Sequence, residues 1–167
     1  MGGLAPRYIG AVEIHLTLME KNRFKYRILD ANFNRAREAL RVVEDIVRFT
    51  QDNENLYRRL KKIRHDLSKI SSDIYPILLR NRNSAGDVSL PQKEKGRKNV
   101  KDILIANFLR AEEAIRVLEE FAKLISADAG YRFKKIRFAI YSLEKEIMGK
   151  KALRKSYHDT VGTSRKK

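Results

Sequence analysis

Apolar residues recur every three or four positions from 26 to 49, the period of a helix packed on one side. A short polar turn, TQDNEN, follows. A second helical stretch spans about 54–79, with Leu56, Leu60, Ile63, Leu67, Ile70 and Ile74 as its stripe. Pro76 should kink or end it, because proline lacks the amide proton that a helix interior needs. The segment over 80–98, containing NRNSAGDVSLPQKEKGRK, is dense in turn formers and charge and reads as a long loop. A third helix is expected over 99–125, with Asn99 and Asp102 capping its start. After SADAG comes a fourth, over 131–148, turning Phe133, Ile136, Ile140, Leu143 and Ile147 inward and stopping at Gly149.

Residues 1–18 follow another rule. Val12, Ile14, Leu16 and Leu18 alternate with Glu13, His15 and Thr17, which is strand periodicity. A lone strand has no partner in a helical protein, so it either pairs with a second copy across a dimer or is a loosely attached extension. The second is expected, and Met19 would serve as a natural start. Residues 150–167 lack periodicity and read as a basic, flexible tail. The chain is therefore expected to be all-α over 19–149, built from hairpins at about 26–79 and 99–148.

The two hairpins are related. ANFNRAREALRVVED (31–45) reappears without a gap as ANFLRAEEAIRVLEE (106–120), and KKIR at 61–64 returns at 134–137. One hairpin is too thin to bury its own stripe, so two related hairpins are expected to pack about a pseudo-twofold axis. A wheel at ~100° per residue collects Phe33, Ala36, Ala39, Leu40, Val42, Val43, Ile46 and Val47 in half the circle. Asn32 and Arg35 fall inside that arc, Glu38 at its edge, Arg41 well outside, and Glu44 just beyond the other edge. The second copy repeats this with Asn107, Arg110, Glu113, Arg116 and Glu119. A buried, unpaired guanidinium costs several kcal/mol, so the inward Arg residues have two explanations. They pair with Glu38 and Glu113 while Asn32 and Asn107 fix register across the axis, or they line a pocket and hold phosphate with their planar forks.

Composition narrows the chemistry. The chain has 167 residues, one domain's worth, with 35% charged residues and a net charge of +16. The tail from 148 onward carries seven Lys/Arg against Asp159. This balance favours anionic partners: phosphorylated small molecules, acidic surfaces or nucleic acid. No nucleic-acid fold signature appears, and no aromatic platform interleaves with the basic residues, so nucleic acid ranks low. There is no cysteine, which removes thiol catalysis and disulfides and agrees with a cytoplasmic setting. His15, His65 and His158 are too scattered for a zinc site. No apolar run approaches the ~20 residues of a membrane span, no signal-peptide layout precedes the helices, and no P-loop or GxGxxG turn is present. His65 stands where the second copy has Phe138, so packing does not demand it. Asp87 lies in the long loop, which could close over a pocket.

The blocks YRILDANFNRAREALRVVEDIVRF, LKKIRHDL, RNRNSAGDV, ANFLRAEEAIRVLEEFAKL and RFAIYSLE, in this order, resemble the N-terminal helical domain found fused to some bacterial thiamine-phosphate synthases, here standing alone. The resemblance covers about 26–147. It implies a role in thiamine biosynthesis, with hydroxymethylpyrimidine-phosphate kinase activity using ATP and Mg²⁺. Family-like positions are Asn32, Arg35, Glu38 and Arg41 with their second-copy partners, together with Arg64, His65 and Asp87. One departure is AGDVS, where the family often has Gly after the Val. On this reading Asn32, Arg35, Arg41, Arg64, Asn107, Arg110 and Glu113 bind substrate phosphate, and Glu38, His65 and Asp87 act in catalysis. Two rivals stand beside it: a non-catalytic module that dimerises or docks on a thiamine-phosphate synthase, and a basic helical protein that binds nucleic acid.

Overall fold

The computed structural model describes residues 6–84 and 96–149, with side chains from residue 23 onward. Five helices make up the described chain: α1 (Pro6–Thr50), α2 (Glu54–Ser72), α3 (Tyr75–Asn81), α4 (Val100–Ala122) and α5 (Ala127–Gly149). The architecture is the expected all-α bundle of two helical hairpins. Residues 12–18, where alternation predicts a strand, are helical backbone continuous with α1. A strand needs a neighbour to take its hydrogen bonds, whereas a helix satisfies its own. The tail over 150–167 and Asp87 lie outside the described residues.

Each helix end has a local cause. Asp52 takes a positive φ of 45°, a conformation that Asp tolerates better than most residues, and this turns the chain out of α1. Asn53 then caps α2, its side-chain oxygen accepting from the Leu56 amide at 3.0 Å. The stretch expected as one helix over 54–79 is two, because Pro76 cannot sit in a helix interior and instead occupies the first turn of α3. Asn99 caps α4 by accepting from the Asp102 amide at 2.9 Å, and Asp102 Oδ2 accepts in return from the Lys98 amide at 3.3 Å. Gly130 is buried where α5 closes on α4. A Cβ there would stand 2.6 Å from Lys123 Cγ and 3.2 Å from the Glu119 carbonyl oxygen, so glycine permits the approach.

The core follows the repeat. Leu29, Phe33, Ala36, Leu40, Val43 and Val47 of α1 are buried, and so are their counterparts Leu104, Phe108, Ala111, Ile115, Leu118 and Ala122 of α4. α1 and α4 form the most extensive helix pair, with α2 beside α1 and α5 beside α4. Leu56, Leu60, Ile63 and Leu67 from α2, and Phe133, Ile140, Leu143 and Ile147 from α5, complete the interior. Phe33 meets Phe133 edge-on, with ring centres 5.7 Å apart. A buried Leu or Phe contributes roughly 1.5–3 kcal/mol and a helix cap about 1 kcal/mol. The shared stripe therefore holds the bundle and the caps set its ends.

Candidate functional site

Two kinds of charged cluster flank the α1–α4 contact. The first is closed. Glu44, fully buried, accepts from Arg64 Nε at 2.8 Å and Arg64 Nη2 at 3.3 Å, and from Arg41 Nη1 at 3.1 Å. The second repeat copies it: Glu119 accepts from Arg137 Nε at 2.9 Å and Arg116 Nη1 at 2.7 Å. Both glutamates are thus buried anions held between two guanidinium groups, one from their own helix and one from the hairpin partner. Pairing of this kind is what allows a carboxylate to lie in an apolar core. Arg137 also donates through Nη1 to the Tyr141 hydroxyl at 3.0 Å.

The second cluster is open. A cleft of about 590 Å³ lies between α1 and α4, lined by Asn32, Arg35, Glu38, Ala39 and Val42 and by Asn107, Arg110, Glu113, Ala114 and Val117. Every lining residue of α1 has its repeat counterpart among the lining residues of α4, so the cleft sits on the pseudo-twofold axis. The alanines leave the space and the polar residues edge it. Asn32 and Asn107 are buried, and each donates its amide to the carbonyl four residues back, Ile28 and Ile103, at 2.8 Å. They do not hold the helices in register by bonding to one another. Arg35, Glu38 and Glu113 make no hydrogen bond or ion pair among the described residues. The expected internal pairing of Arg35 with Glu38 is absent there, and the guanidinium is exposed at the cleft.

This revises the wheel in two places. Arg35 and Val42, placed in the apolar arc, are exposed, because that part of the arc faces a void. Glu44, placed outside the arc, is fully buried, because α2 covers that side of α1 and supplies Arg64. A wheel gives the angle of each residue but not which neighbour fills it.

Of the residues singled out in the sequence, Asn32, Arg35, Glu38, Asn107, Arg110 and Glu113 come together at the cleft. Arg41 and Arg64 do not. They belong to the closed cluster around Glu44, and their charges are already answered there. His65 is exposed on α2 and is not among the cleft residues. Asp87 lies outside the described residues. Among the described residues no three His, Cys, Asp or Glu side chains gather in a metal-binding group, and no helix is long and apolar enough to cross a membrane.

Two further groups escaped the sequence reading. Asp30, buried, accepts from Arg82 Nε and Nη2 at 2.7 Å each, fastening the chain just after α3 to α1. Glu112 of α4 stands near Glu144 of α5, and burial together with that second carboxylate raises its pKa from 4.5 to about 7. The closed clusters had a signal, since Arg41, Glu44 and Arg64 all recur in the second copy. The other two had none, because Ile105 replaces Asp30, and Arg37 and Ser71 stand at the positions equivalent to Glu112 and Glu144.

The chain is similar to the thiamine-phosphate synthase of Nostoc punctiforme, 42% identical over 128 residues, covering 74% of this chain and 35% of that protein. It is also similar to the thiamine-phosphate synthase of a Synechocystis species, 39% identical over 129 residues, covering 77% of this chain and 38% of that protein. The chain thus spans little more than a third of the length of these relatives. No solved structure matches. The model of the ThiD2 family matches residues 27–146, both hairpins and the cleft between them, and the chain belongs to that family, which is linked to thiamine biosynthesis.

Proposed function

We propose that the cleft between α1 and α4 binds a phosphorylated hydroxymethylpyrimidine and that the protein transfers the γ-phosphoryl group of ATP to it. A terminal phosphate oxygen of the acceptor attacks the γ-phosphorus, the bond from that phosphorus to the β–γ bridging oxygen breaks, and ADP leaves with that oxygen. The product is the pyrimidine diphosphate. The observation that carries this reading is the pair Arg35 and Arg110 on one cleft, two forks suited to phosphate oxygens at equivalent positions of two helices. Positioning two polyanions against their mutual repulsion is most of what phosphoryl transfer asks of a protein.

The attacking oxygen belongs to a phosphate monoester whose second pKa is about 6. It is already an anion at neutral pH, so the transfer needs no general base. This agrees with His65 lying away from the cleft, and we assign that residue no part in the transfer. Mg²⁺ is normally held by one or two carboxylates plus substrate phosphates rather than by an all-protein cage. Glu38 and Glu113, both edging the cleft and neither hydrogen-bonded nor ion-paired among the described residues, fit that requirement and would hold it. The ion would supply positive charge to the phosphate oxygens. Dependence on ATP suits a cytoplasmic protein.

Incubating the protein with hydroxymethylpyrimidine phosphate, ATP and Mg²⁺ should yield the diphosphate, and R35A and R110A should each lower the rate at least tenfold. No product together with no measurable binding of the pyrimidine phosphate would overturn the reading. A second reading rests on the relatives, which are longer proteins named for a synthase activity. On it, the chain is a non-catalytic module that docks on a separate thiamine-phosphate synthase. Co-purification of the two proteins, with no ligand bound by this chain alone, would favour it.

A further inference from the structure

A second cleft, of about 510 Å³, adjoins the first and shares Asn32 and Arg35 with it. Phe24, Arg27, Asn34 and Arg82 are also on its walls. Phe24 is 56% exposed. Arg27 makes no hydrogen bond or ion pair among the described residues. The far wall is fixed by the two-bond link from Arg82 to buried Asp30. That link has no equivalent in the second repeat, because Ile105 stands where it would need Asp. The twofold symmetry of the central cleft is therefore broken at the Arg35 end.

From this we infer that the second cleft is the subsite of a nucleoside triphosphate, the phosphoryl donor, and that the Arg110 end of the central cleft holds the smaller acceptor. The inference rests on the proposed transfer and adds where each reactant lies. Arg35 is common to both clefts and is the group that can hold a phosphate passing from one to the other. Arg27 gives a second cation further out, as a polyphosphate chain requires. Phe24 offers an aromatic face to the base, a contact worth roughly 1–3 kcal/mol per base. The volume lies within the range of about 300–1,000 Å³ usual for small-molecule sites. Asp30 acts as a positioning residue here, since it keeps Arg82 against the wall and occupies that guanidinium.

Calorimetric titration of the full chain tests this with three probes: the non-hydrolysable analogue AMP-PNP with Mg²⁺, inorganic tripolyphosphate, and hydroxymethylpyrimidine phosphate. F24A should weaken AMP-PNP about tenfold and leave tripolyphosphate, which has no base, within twofold. R27A should weaken both. Neither change should move the affinity for the pyrimidine phosphate, which R110A should weaken. Circular dichroism melting of each variant should show that these substitutions at the cleft surface leave the fold intact. If AMP-PNP binds the wild type and F24A and R27A alike, the second cleft is not its site, and the proposed function stands without the inference. Binding of the pyrimidine phosphate but not of AMP-PNP overturns the donor subsite. Failure of the pyrimidine phosphate to bind overturns the proposed function, and the inference falls with it.

Discussion

The two flanks of the α1–α4 contact use the same residue types in opposite ways. Around Glu44 and Glu119, arginine and glutamate answer one another inside the bundle. Across the central cleft, Arg35 and Glu38 stand three residues apart on one helix and form no ion pair among the described residues. What separates them is cover: α2 and α5 lie over the first flank, and open space lies over the second. A buried charge must find its partner within the fold, while a charge at a cleft can keep its valence for a ligand. The arginines that answer the buried glutamates are thus distinct from Arg35, which is exposed at the cleft.

The largest expected effect comes from opening a closed cluster. R64M leaves buried Glu44 with only Arg41 and should cost about 3–5 kcal/mol in urea unfolding. R137M should do the same to Glu119. A loss under about 1 kcal/mol would break the contrast, placing both flanks in the surface category. Next is R35A, expected to cost about 1.5–3 kcal/mol in phosphate-ligand binding while changing the unfolding free energy by less than about 0.5 kcal/mol. R41Q should be milder than R64M, at or below about 1 kcal/mol, because Arg41 is half-exposed and shares its charge with Asp45.

The smallest effect concerns Glu112. Its pKa is raised in the folded state, from 4.5 to about 7, so the folded protein holds the proton more tightly than the unfolded chain does. Stability from this group is complete below pH 4.5 and is lost as pH rises towards 7. E112Q should flatten that decline in thermal melts between pH 5 and 7.5, and melt higher than wild type at the upper end. An unchanged slope would show that neither burial nor Glu144 raises the Glu112 pKa.

How much of this was legible in the sequence depended on duplication. The hairpins, the inward stripes, the Asn99 cap and the break at Pro76 follow from spacing and residue type. The cleft residues were identifiable because each appeared twice at the same place in the repeated phrase, so that meeting across an axis was the economical arrangement. What the pattern could not supply was depth. Glu44 sits only slightly beyond the apolar arc, and its complete burial depends on α2, a neighbour no single-helix wheel contains. Asp30 and Arg82 are 52 positions apart and occur once, so no periodicity joins them. Glu112 and Glu144 are likewise a pairing between helices with no echo in the first copy.

The paired lining of the central cleft bears on the origin of the chain. Asn32, Arg35, Glu38, Ala39 and Val42 share the cleft with residues that are their own images in the other half. A surface of this kind is one that a single hairpin would offer to an identical hairpin. Two separate copies would already enclose the same hollow, with two arginines and two glutamates at its edge. Joining them into one polypeptide adds no new wall to that hollow. It adds the freedom for one half to change alone, and Asp30 with Arg82 is a change that only a joined chain can keep at one end.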